Sequence, residues 1–463
     1  MKFITVLLTV ILSAALLSDA AIPTSAGWHV LPNTKLKAVA PPANFGGTTY
    51  NFNFASYSVT DSWSGGAFDT KRNRLLIWGG GHGDYFGNEI YSLDLNTEKM
   101  VRLTDPATPI APLTPTIEEL SPNNGTQPNG RHTYDGLCYM PNHDVMWAFG
   151  GSLSSGDGGS SSWTWIFNPT NNTWKHVVPK GANPGSNAYL GTVSAYDSST
   201  GAIYLHQRNG FFKYVYDDAG GTYTQLTGYN SAQLNFSMTG VFDPKRKKFL
   251  VMGNGDQHIF DMNAGGGYQA FNSTGAPSLI AHQGPGLAYD PVSDRIIGWA
   301  TGDTVYSLNM DTHVWTSQAY PGGPYGCSRG AYGRFDYAPA LDAFVTYHTK
   351  TADGYDAPEA DAFVLRTRAG AAAEIPVMKG EKSLSVSPNP FRTAATLTFS
   401  GVAPEKVSIF DCAGRQVAEL KVRQGRSIFE GKNMRGQLLT AGIYTAAFRV
   451  GKTVRSVRLS LIK

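Results

Sequence analysis

Histidine, tyrosine and arginine recur in this sequence at matching positions beside strand-like segments. His132 and His282 each lie seven residues before an aromatic residue of such a segment, Tyr139 and Tyr289. The same offset before three further aromatic residues gives polar side chains: Asp61, Tyr189 and Asn235. Imidazole and phenol groups serve as general acids and bases, so this spacing predicts one site that can move protons.

A second group of histidines ends strand-like segments. His82 lies in the glycine run of WGGGHGDYFGN (78–88), which also holds Tyr85 and Asn88, and His206 and His348 end comparable segments. If first strands begin where second strands end, five of the ten histidines converge on one face. Other side chains that can donate or carry charge stand close by in the sequence: Arg131, Tyr134, Arg208, Arg329 and Arg334.

Three kinds of site would use such a set. A β-elimination on a uronate polysaccharide needs a base for the C5 proton, an acid for the leaving oxygen and a cation or amide on the carboxylate. Histidines from several segments can also bind copper or zinc. A non-enzymatic glycan- or protein-binding surface would instead present exposed aromatic side chains, for which Trp63, Tyr85 and Tyr332 are the candidates.

The elements that must position these residues form an internal repeat. Six segments read as strand, polar turn and strand, and a third strand follows each of them. Their aromatic anchors are spaced by 71, 57, 46, 47 and 48 residues and are Phe68, Tyr139, Tyr196, Phe242, Tyr289 and Tyr337. A fourth strand often follows, and four strands in about 45–50 residues are typical of a β-propeller blade.

The last repeat lacks a fourth strand of its own. GWHVLP (27–32) resembles the fourth-strand segment NTWKHVVP (172–179), so we expect this early segment to close the ring and remove its open edges. The sequence therefore predicts an all-β protein with a six- or seven-bladed β-propeller, the seventh blade being an irregular one within 33–62, followed by a small C-terminal β-sandwich.

Composition and charge narrow the class of protein. Residues 1–21 hold one lysine, an apolar run and a small-residue cleavage pattern, which predicts a secretory signal peptide and no transmembrane segment after its removal. Three distant cysteines form no disulfide framework. Residues 383–463 carry 13 Lys and Arg against 4 Asp and Glu, but without basic clusters and interleaved aromatics, so nucleic acid is not an expected partner.

Two resemblances fit this organisation. The Gly-Gly endings of WGGG (78–81) and AFGG (148–151), with Trp174 and Trp315 in fourth strands, resemble kelch-type propellers over residues 22–370. After a linker at 371–382, residues 383–463 contain SPNPF, VSIFDCAGR and AGIY, a set that resembles the C-terminal sorting domains of type IX secretion. This second resemblance implies export by the type IX machinery to the medium or the cell surface.

The propeller also resembles polysaccharide lyases such as the ulvan lyases, which use a His, Tyr and Arg set. That resemblance implies His132, Tyr189 and Arg208 as the catalytic residues and a polysaccharide as the partner, with no cofactor required. The residues it implies for substrate binding are His82, Tyr85, Asn88, Arg131, Tyr134, His206, Asn235, His282, Arg329 and Arg334. Copper oxidation with Cys138 beside Tyr134, and sialidase-type hydrolysis suggested by SGDGGSSSW (155–163), remain open alternatives.

Overall fold

The computed structural model divides into two compact units, Met1–Ala372 and Ala373–Lys463. It describes residues 22–42, 44–45, 48–49, 59–80, 87–107, 125–153, 160–185, 191–207, 210–227, 237–354, 357–369, 384–387, 389, 391–399, 404–411, 415–450 and 453–462. The predicted signal peptide lies outside these residues, as does Cys412. None of the described helices is long and apolar enough to cross a membrane.

The described part of the first unit contains six antiparallel four-stranded blades, which we call blades 1 to 6. Blades 1 to 5 use four strands in chain order, whereas blade 6 takes its outermost strand from Gly27–Leu31. Blade 1 comprises Gly65–Asp69, Arg74–Trp78, Tyr91–Asp94 and Lys99–Arg102. Blade 2 comprises Leu137–Met140, Val145–Phe149, Thr164–Asn168 and Thr173–Val177. Blade 3 comprises Val193–Asp197, Ala202–Gln207, Gly210–Val215 and Thr222–Thr227. Blade 4 comprises Thr239–Asp243, Lys248–Gly253, Asp256–Asp261 and Gly267–Ala270. Blade 5 comprises Gly286–Asp290, Arg295–Trp299, Thr304–Asn309 and Val314–Ala319. Blade 6 comprises Phe335–Ala338, Ala343–Thr346, Ala362–Arg366 and Gly27–Leu31.

The first strands of the six blades form a closed ring. Each packs beside the first strand of the next blade, and that of blade 6 packs beside that of blade 1. The backbone N–H of Gly66 donates to the carbonyl of Tyr332 at 3.0 Å across this last junction. The propeller therefore has six blades, and the alternative of a seventh within 33–62 is wrong because blades 6 and 1 are direct neighbours.

The segment Gly27–Leu31 supplies the outermost strand of blade 6. It pairs antiparallel with Ala362–Arg366, so that Trp28 lies opposite Leu365. The indole of Trp28 packs 5.2 Å from that of Trp299 in blade 5. The predicted closure of the ring by an early strand is confirmed, and it covers an edge that would otherwise be unpaired.

Aspartates and arginines stabilise the hairpin turns that join first and second strands. Asp243 closes its turn by accepting two backbone N–H groups at 2.9 and 3.0 Å. Arg246 then reaches into blade 5, where its guanidinium donates to both oxygens of Asp294 at 2.9 Å. Arg72 of blade 1 makes matching bonds of 2.7 and 2.8 Å to Asp144 of blade 2. We call the side of the ring that carries these turns the hairpin face.

The aromatic anchors join the same network through a tyrosine followed five residues later by an aspartate. The phenol groups donate to carboxylates at 2.7, 2.9 and 2.8 Å in the pairs Tyr139–Asp144, Tyr289–Asp294 and Tyr337–Asp342. Each aspartate takes a left-handed backbone, with φ between 48° and 57°. Sequence and local geometry therefore fix these turns together.

Short elements lie between the blades. The helical turns are Leu36–Val39, Met262–Ala264 and Pro277–Ala281. The short strand pairs are Asn44–Phe45 with Thr48–Thr49, Arg131–His132 with Ser152–Leu153, and Tyr325–Gly326 with Thr349–Lys350, while Lys180–Gly181 adds a parallel strand to blade 3.

The second unit is a small β-sandwich. One sheet contains Leu384–Ser387, Ala395–Phe399 and Arg426–Phe429, and the other Gln416–Lys421, Lys406–Phe410, Gly442–Val450 and Thr453–Leu461. Phe391 is buried in the core between them, and the side-chain oxygen of Asn389 accepts the backbone N–H of Ser460 at 2.8 Å. Two residues of the SPNPF segment therefore hold the last strand of the chain in place.

Candidate functional site

The face opposite the hairpin turns, which we call the upper face, begins with a repeated backbone feature. The residue five positions before each anchor has a positive φ of 42° to 60° in all six blades: Trp63, Tyr134, Gly191, Ser237, Gly284 and Tyr332. This conformation interrupts the extended backbone. Residues further upstream, including His132 and His282, therefore lie on separate segments.

This interruption corrects the predicted placement of both histidines. His132 does not begin the first strand of blade 2, because it belongs to the two-residue strand Arg131–His132. His282 follows the helical turn Pro277–Ala281 and does not begin the first strand of blade 5. His348 also lies two residues beyond its second strand, whereas His206 lies within one as predicted.

Aromatic rings close the propeller axis at the upper face. The rings of Tyr134 and Tyr332 are 5.7 Å apart and nearly perpendicular. A side chain at Gly191 or Gly284 would collide with them, because an added Cβ would come within 2.4 Å of Tyr134 and 2.5 Å of Tyr332. Tyr332 is completely buried, so the prediction that it forms an exposed aromatic surface is wrong. We call Tyr134, Tyr332 and their two glycines the aromatic plug.

Trp63 connects a predicted base to a predicted cation. Its indole lies 4.8 Å from the imidazole of His132 and 4.3 Å from the guanidinium of Arg329. Arg329 is half-buried and also donates to the hydroxyl of Ser62 at 3.2 Å, while its backbone N–H donates to Asp61 at 3.2 Å. His132 is only 1% exposed, so a ligand on this face reaches Arg329 more readily than His132.

Arg334 and His348 make an internal support for the same region. The Arg334 guanidinium donates to the carbonyls of Gly330 (2.7 Å), Val59 (3.2 Å) and Thr60. It also contacts Nδ1 of His348 at 3.2 Å, and because arginine only donates, this nitrogen must accept. Burial, and then the charge of Arg334, hold the pKa of His348 well below its usual range. Both groups are completely buried and serve the packing of loops.

His206 pairs with a histidine that the sequence reasoning missed. Nε2 of His258, on the third strand of blade 4, lies 3.2 Å from Nδ1 of His206 in blade 3. Burial lowers the pKa of His258 to about 4 and holds that of His206 well below its usual range. The sequence signal for His258 is its position near the beginning of a third strand, Asp256–Asp261, at the upper face.

Arg131 and Asn88 also have structural contacts. The guanidinium of Arg131 donates to the carbonyls of Asn129 and Gly150 at 3.1 Å and lies 5.5 Å from the centre of the Trp78 ring. The Asn88 amide bridges the carbonyl of Pro128 at 3.0 Å and the backbone N–H of Ala107 at 2.8 Å. Both side chains are buried and hold loops between blades 1 and 2.

His282 has the geometry of an accessible base. It is half-buried, and its Nδ1 lies 2.8 Å from the carbonyl of Gln283. A carbonyl only accepts, so Nδ1 carries the proton and Nε2 is left with its lone pair. Burial lowers the pKa of His282, which keeps the ring neutral at neutral pH. The backbone N–H of Ala331 donates to the carbonyl of Gly284 at 2.6 Å, so the loops that carry His282 and Arg329 touch.

The predicted set therefore divides into three groups. Five residues lie outside the described part of the chain: His82, Tyr85, Tyr189, Arg208 and Asn235. Six are buried: Asn88, Arg131, His132, Tyr134, His206 and Arg334. His282 and Arg329 are half-buried.

The described residues supply no ready metal centre. No group of three or more His, Cys, Asp or Glu side chains among them is arranged to hold a metal ion. Cys138 and Cys327 are buried free thiols, and burial raises the pKa of both. The Sγ of Cys138 lies 3.4 Å from the hydroxyl of Ser194.

Comparison with known proteins adds structural neighbours only. No protein-family model and no curated protein matches the chain. PorZ, an essential bacterial surface component of the type-IX secretion system of Porphyromonas gingivalis, aligns at 15% identity and a TM-score of 0.30, over 86% of this chain and 44% of PorZ. This chain thus spans less than half the length of PorZ.

Two further structures align with a smaller share of the chain. A Bacteroides thetaiotaomicron protein of unknown function aligns at 9% identity and a TM-score of 0.43, over 74% of this chain and 76% of that one. YjhT aligns at 11% identity and a TM-score of 0.41, over 66% of this chain and 95% of its own. The propeller assignment rests on the strand order and the closed ring of this chain.

Proposed function

We propose that the protein is a secreted polysaccharide lyase that acts on a uronate-containing polymer at the upper face of its propeller. The observation that carries this proposal is that His282 and Arg329 lie on two loops joined by a backbone hydrogen bond. His282 is a neutral base with a lone pair on Nε2, and Arg329 is a cation. Each side chain is half-buried, and the two loops that carry them touch. A β-elimination needs a neutral base at the C5 proton and a cation or amide at the carboxylate of the same sugar.

The chemical step assigns a role to each group. Nε2 of His282 takes the C5 proton, and the electrons of that C–H bond form the C4–C5 double bond. The C4–O bond breaks, and its oxygen takes a proton from an acid, for which Tyr189 remains the predicted residue. Arg329, together with the predicted Arg208, neutralises the uronate carboxylate so that C5 becomes more acidic. His132 supports Trp63 and through it positions Arg329.

The test is the absorbance of the unsaturated product at about 235 nm, measured with a panel of uronate polysaccharides. We expect His282→Gln to lower the rate about 100-fold or more, and Arg329→Gln mainly to raise KM, because these groups act in proton transfer and carboxylate binding respectively. His143→Gln is the matched control, since His143 is an exposed histidine of a hairpin turn. Full activity in His282→Gln with loss in His132→Gln would return the base to His132.

The second candidate is a non-enzymatic glycan-binding propeller. The observation that favours it is the burial of six of the predicted site residues, which stabilise loops and do not face solvent. Binding of the same polymers without any rise in absorbance, and with Arg329→Gln weakening it, would establish this alternative.

We also propose that the β-sandwich directs export through the type IX machinery after removal of residues 1–21. Support comes from the SPNPF segment, whose Asn389 and Phe391 fasten the final strand into the sandwich. In a bacterium with type IX secretion, we expect the full chain to reach the medium or the cell surface and a chain ending at residue 372 to remain inside. Equal export of both would contradict this proposal.

A further inference from the structure

A cavity of about 390 Å³ lies along the propeller axis, between the aromatic plug and the hairpin face. First strands form its wall, and the six aromatic anchors all line it. Tyr134 and Tyr332 precede the lining residues Asp135 and Gly333, so the plug closes the upper end. The turn residues Thr70, Pro141 and Pro244 also line the cavity, which therefore extends to the hairpin face.

Among the described residues that line this cavity are two carboxyl groups and no Lys, Arg or His. Asp135 is 4% exposed and accepts the backbone N–H groups of Ser194 at 3.2 Å and Gly240 at 2.8 Å. Asp336 accepts the backbone N–H of Tyr337 at 2.7 Å. Within the described part of the chain, neither aspartate belongs to an ion pair.

The absence of a cation beside them is unusual for this protein. Asp144 and Asp294, which lie in turns of the hairpin face, are bound by Arg72 and Arg246. Buried carboxylates are costly unless a positive charge compensates them. Burial raises the pKa of Asp336 to about 7, and the charge of Asp336 adds to the burial that raises the pKa of Asp135.

We propose that the channel cavity binds a small organic cation of the alkylammonium class, with Asp336 as its counter-ion and the aromatic anchors around its alkyl groups. Aromatic faces attract ammonium groups when water is excluded. A divalent metal ion fits the wall less well, because Ca²⁺ takes six to eight oxygen ligands and most lining side chains here are aromatic, aliphatic or proline. This site lies away from the upper face and does not depend on the lyase proposal.

The test is calorimetric titration of the full chain with butylammonium chloride and tetramethylammonium chloride. We expect binding at pH 8 that is weaker by about tenfold at pH 6, because Asp336 takes up a proton in this range. Asp336→Asn should weaken binding at least about tenfold. Asp353→Asn, at an exposed carboxylate, should leave it unchanged.

Several outcomes would overturn this proposal. One is the absence of ammonium binding to the wild-type chain. A second is equal binding of 1-butanol, which would show an apolar cavity only. A third is an Asp336-dependent signal from CaCl₂ or NaCl without one from the ammonium salts. If Asp336→Asn does not fold, Ala195→Leu keeps both carboxyl groups and narrows the cavity, and it should weaken butylammonium binding to a similar extent.

Discussion

The two faces of the propeller are built by different rules. On the hairpin face, short-range pairs such as Tyr289 with Asp294 repeat from blade to blade. On the upper face, important contacts join residues far apart in the chain, such as Trp63 with Arg329. The repeated contacts therefore form the scaffold, whereas the upper face supplies groups that can act on a ligand.

The largest expected effect concerns the aromatic plug. Gly191→Ala should destabilise the propeller by about 4 kcal/mol, because it adds strain at a positive φ of 42° and a Cβ that meets the ring of Tyr134 at 2.4 Å. Gly302→Ala is the matched control, since Gly302 has a φ of 68° with nothing within 4 Å, and it should cost about 1 kcal/mol. Denaturant unfolding measures both. Equal costs would mean that the plug is not tightly packed.

The next effect is the acid sensitivity of the upper face. The folded-state pKa of His258 is about 4, below its unfolded value of about 6.5, so the unfolded chain binds the extra proton between these pH values. Stability should be constant with pH above about 6.5 and should fall by about 3 kcal/mol towards pH 4 from this residue alone. His258→Gln should reduce the slope by one proton, whereas His143→Gln should keep it. An unchanged slope in His258→Gln would refute the assignment.

The hairpin face is expected to respond to a single arginine. Arg246→Ala should destabilise the propeller by about 2 kcal/mol, because it leaves the buried Asp243 without its cation and Asp294 with only the exposed Lys245. The arginine also holds the pKa of Asp294 well below its usual range, so this contribution should be complete above about pH 4 and should decline gradually as the pH falls further, through the lowered folded-state pKa. Lys99→Ala, at an exposed lysine, is the control. A loss of the same size at pH 7 and at about pH 2 would contradict the ion-pair explanation.

The smallest expected effect separates hydrogen bonding from packing at the anchors. Tyr289→Phe removes the 2.9 Å hydrogen bond to Asp294 and keeps the ring, so it should cost about 1 kcal/mol. Phe242 is the natural counterpart in blade 4, where an anchor without a hydroxyl serves the same position. A cost near zero by denaturant unfolding would show that the ring alone carries the anchor's contribution.

Local rules explain how much of the fold the sequence predicts. The turn aspartates, the aromatic anchors and the alternating strands depend on contacts within about ten residues, so the repeat could be predicted from the sequence. The closing strand could be predicted because its residues resemble a fourth-strand segment. The fourth strand of blade 4, Gly267–Ala270, was not predicted, because GYQA begins with the last of three consecutive glycines and has no apolar alternation. Its pairing with Asp256–Asp261 depends on the completed sheet.

The candidate site was predicted less well for a physical reason. A fixed offset from an anchor locates a residue along the chain but not the direction of its side chain. The left-handed residues Tyr134 and Gly284 separate His132 and His282 from their first strands, and the environments then diverge. His132 is buried against Trp63, whereas His282 remains accessible. The aromatic plug and the pair His206–His258 arise from contacts between blades that no single segment encodes.

The most direct test of the account is whether turnover depends on the upper face and not on the hairpin face. The measurement is the initial rate of double-bond formation at about 235 nm for His282→Gln beside His143→Gln. Its substrate is a uronate polymer that the wild-type protein cleaves. If His282 is the base, the rate should be about 100-fold lower in His282→Gln and within about twofold of wild type in His143→Gln. Wild-type rates in His282→Gln, with loss in a hairpin-face variant, would contradict it.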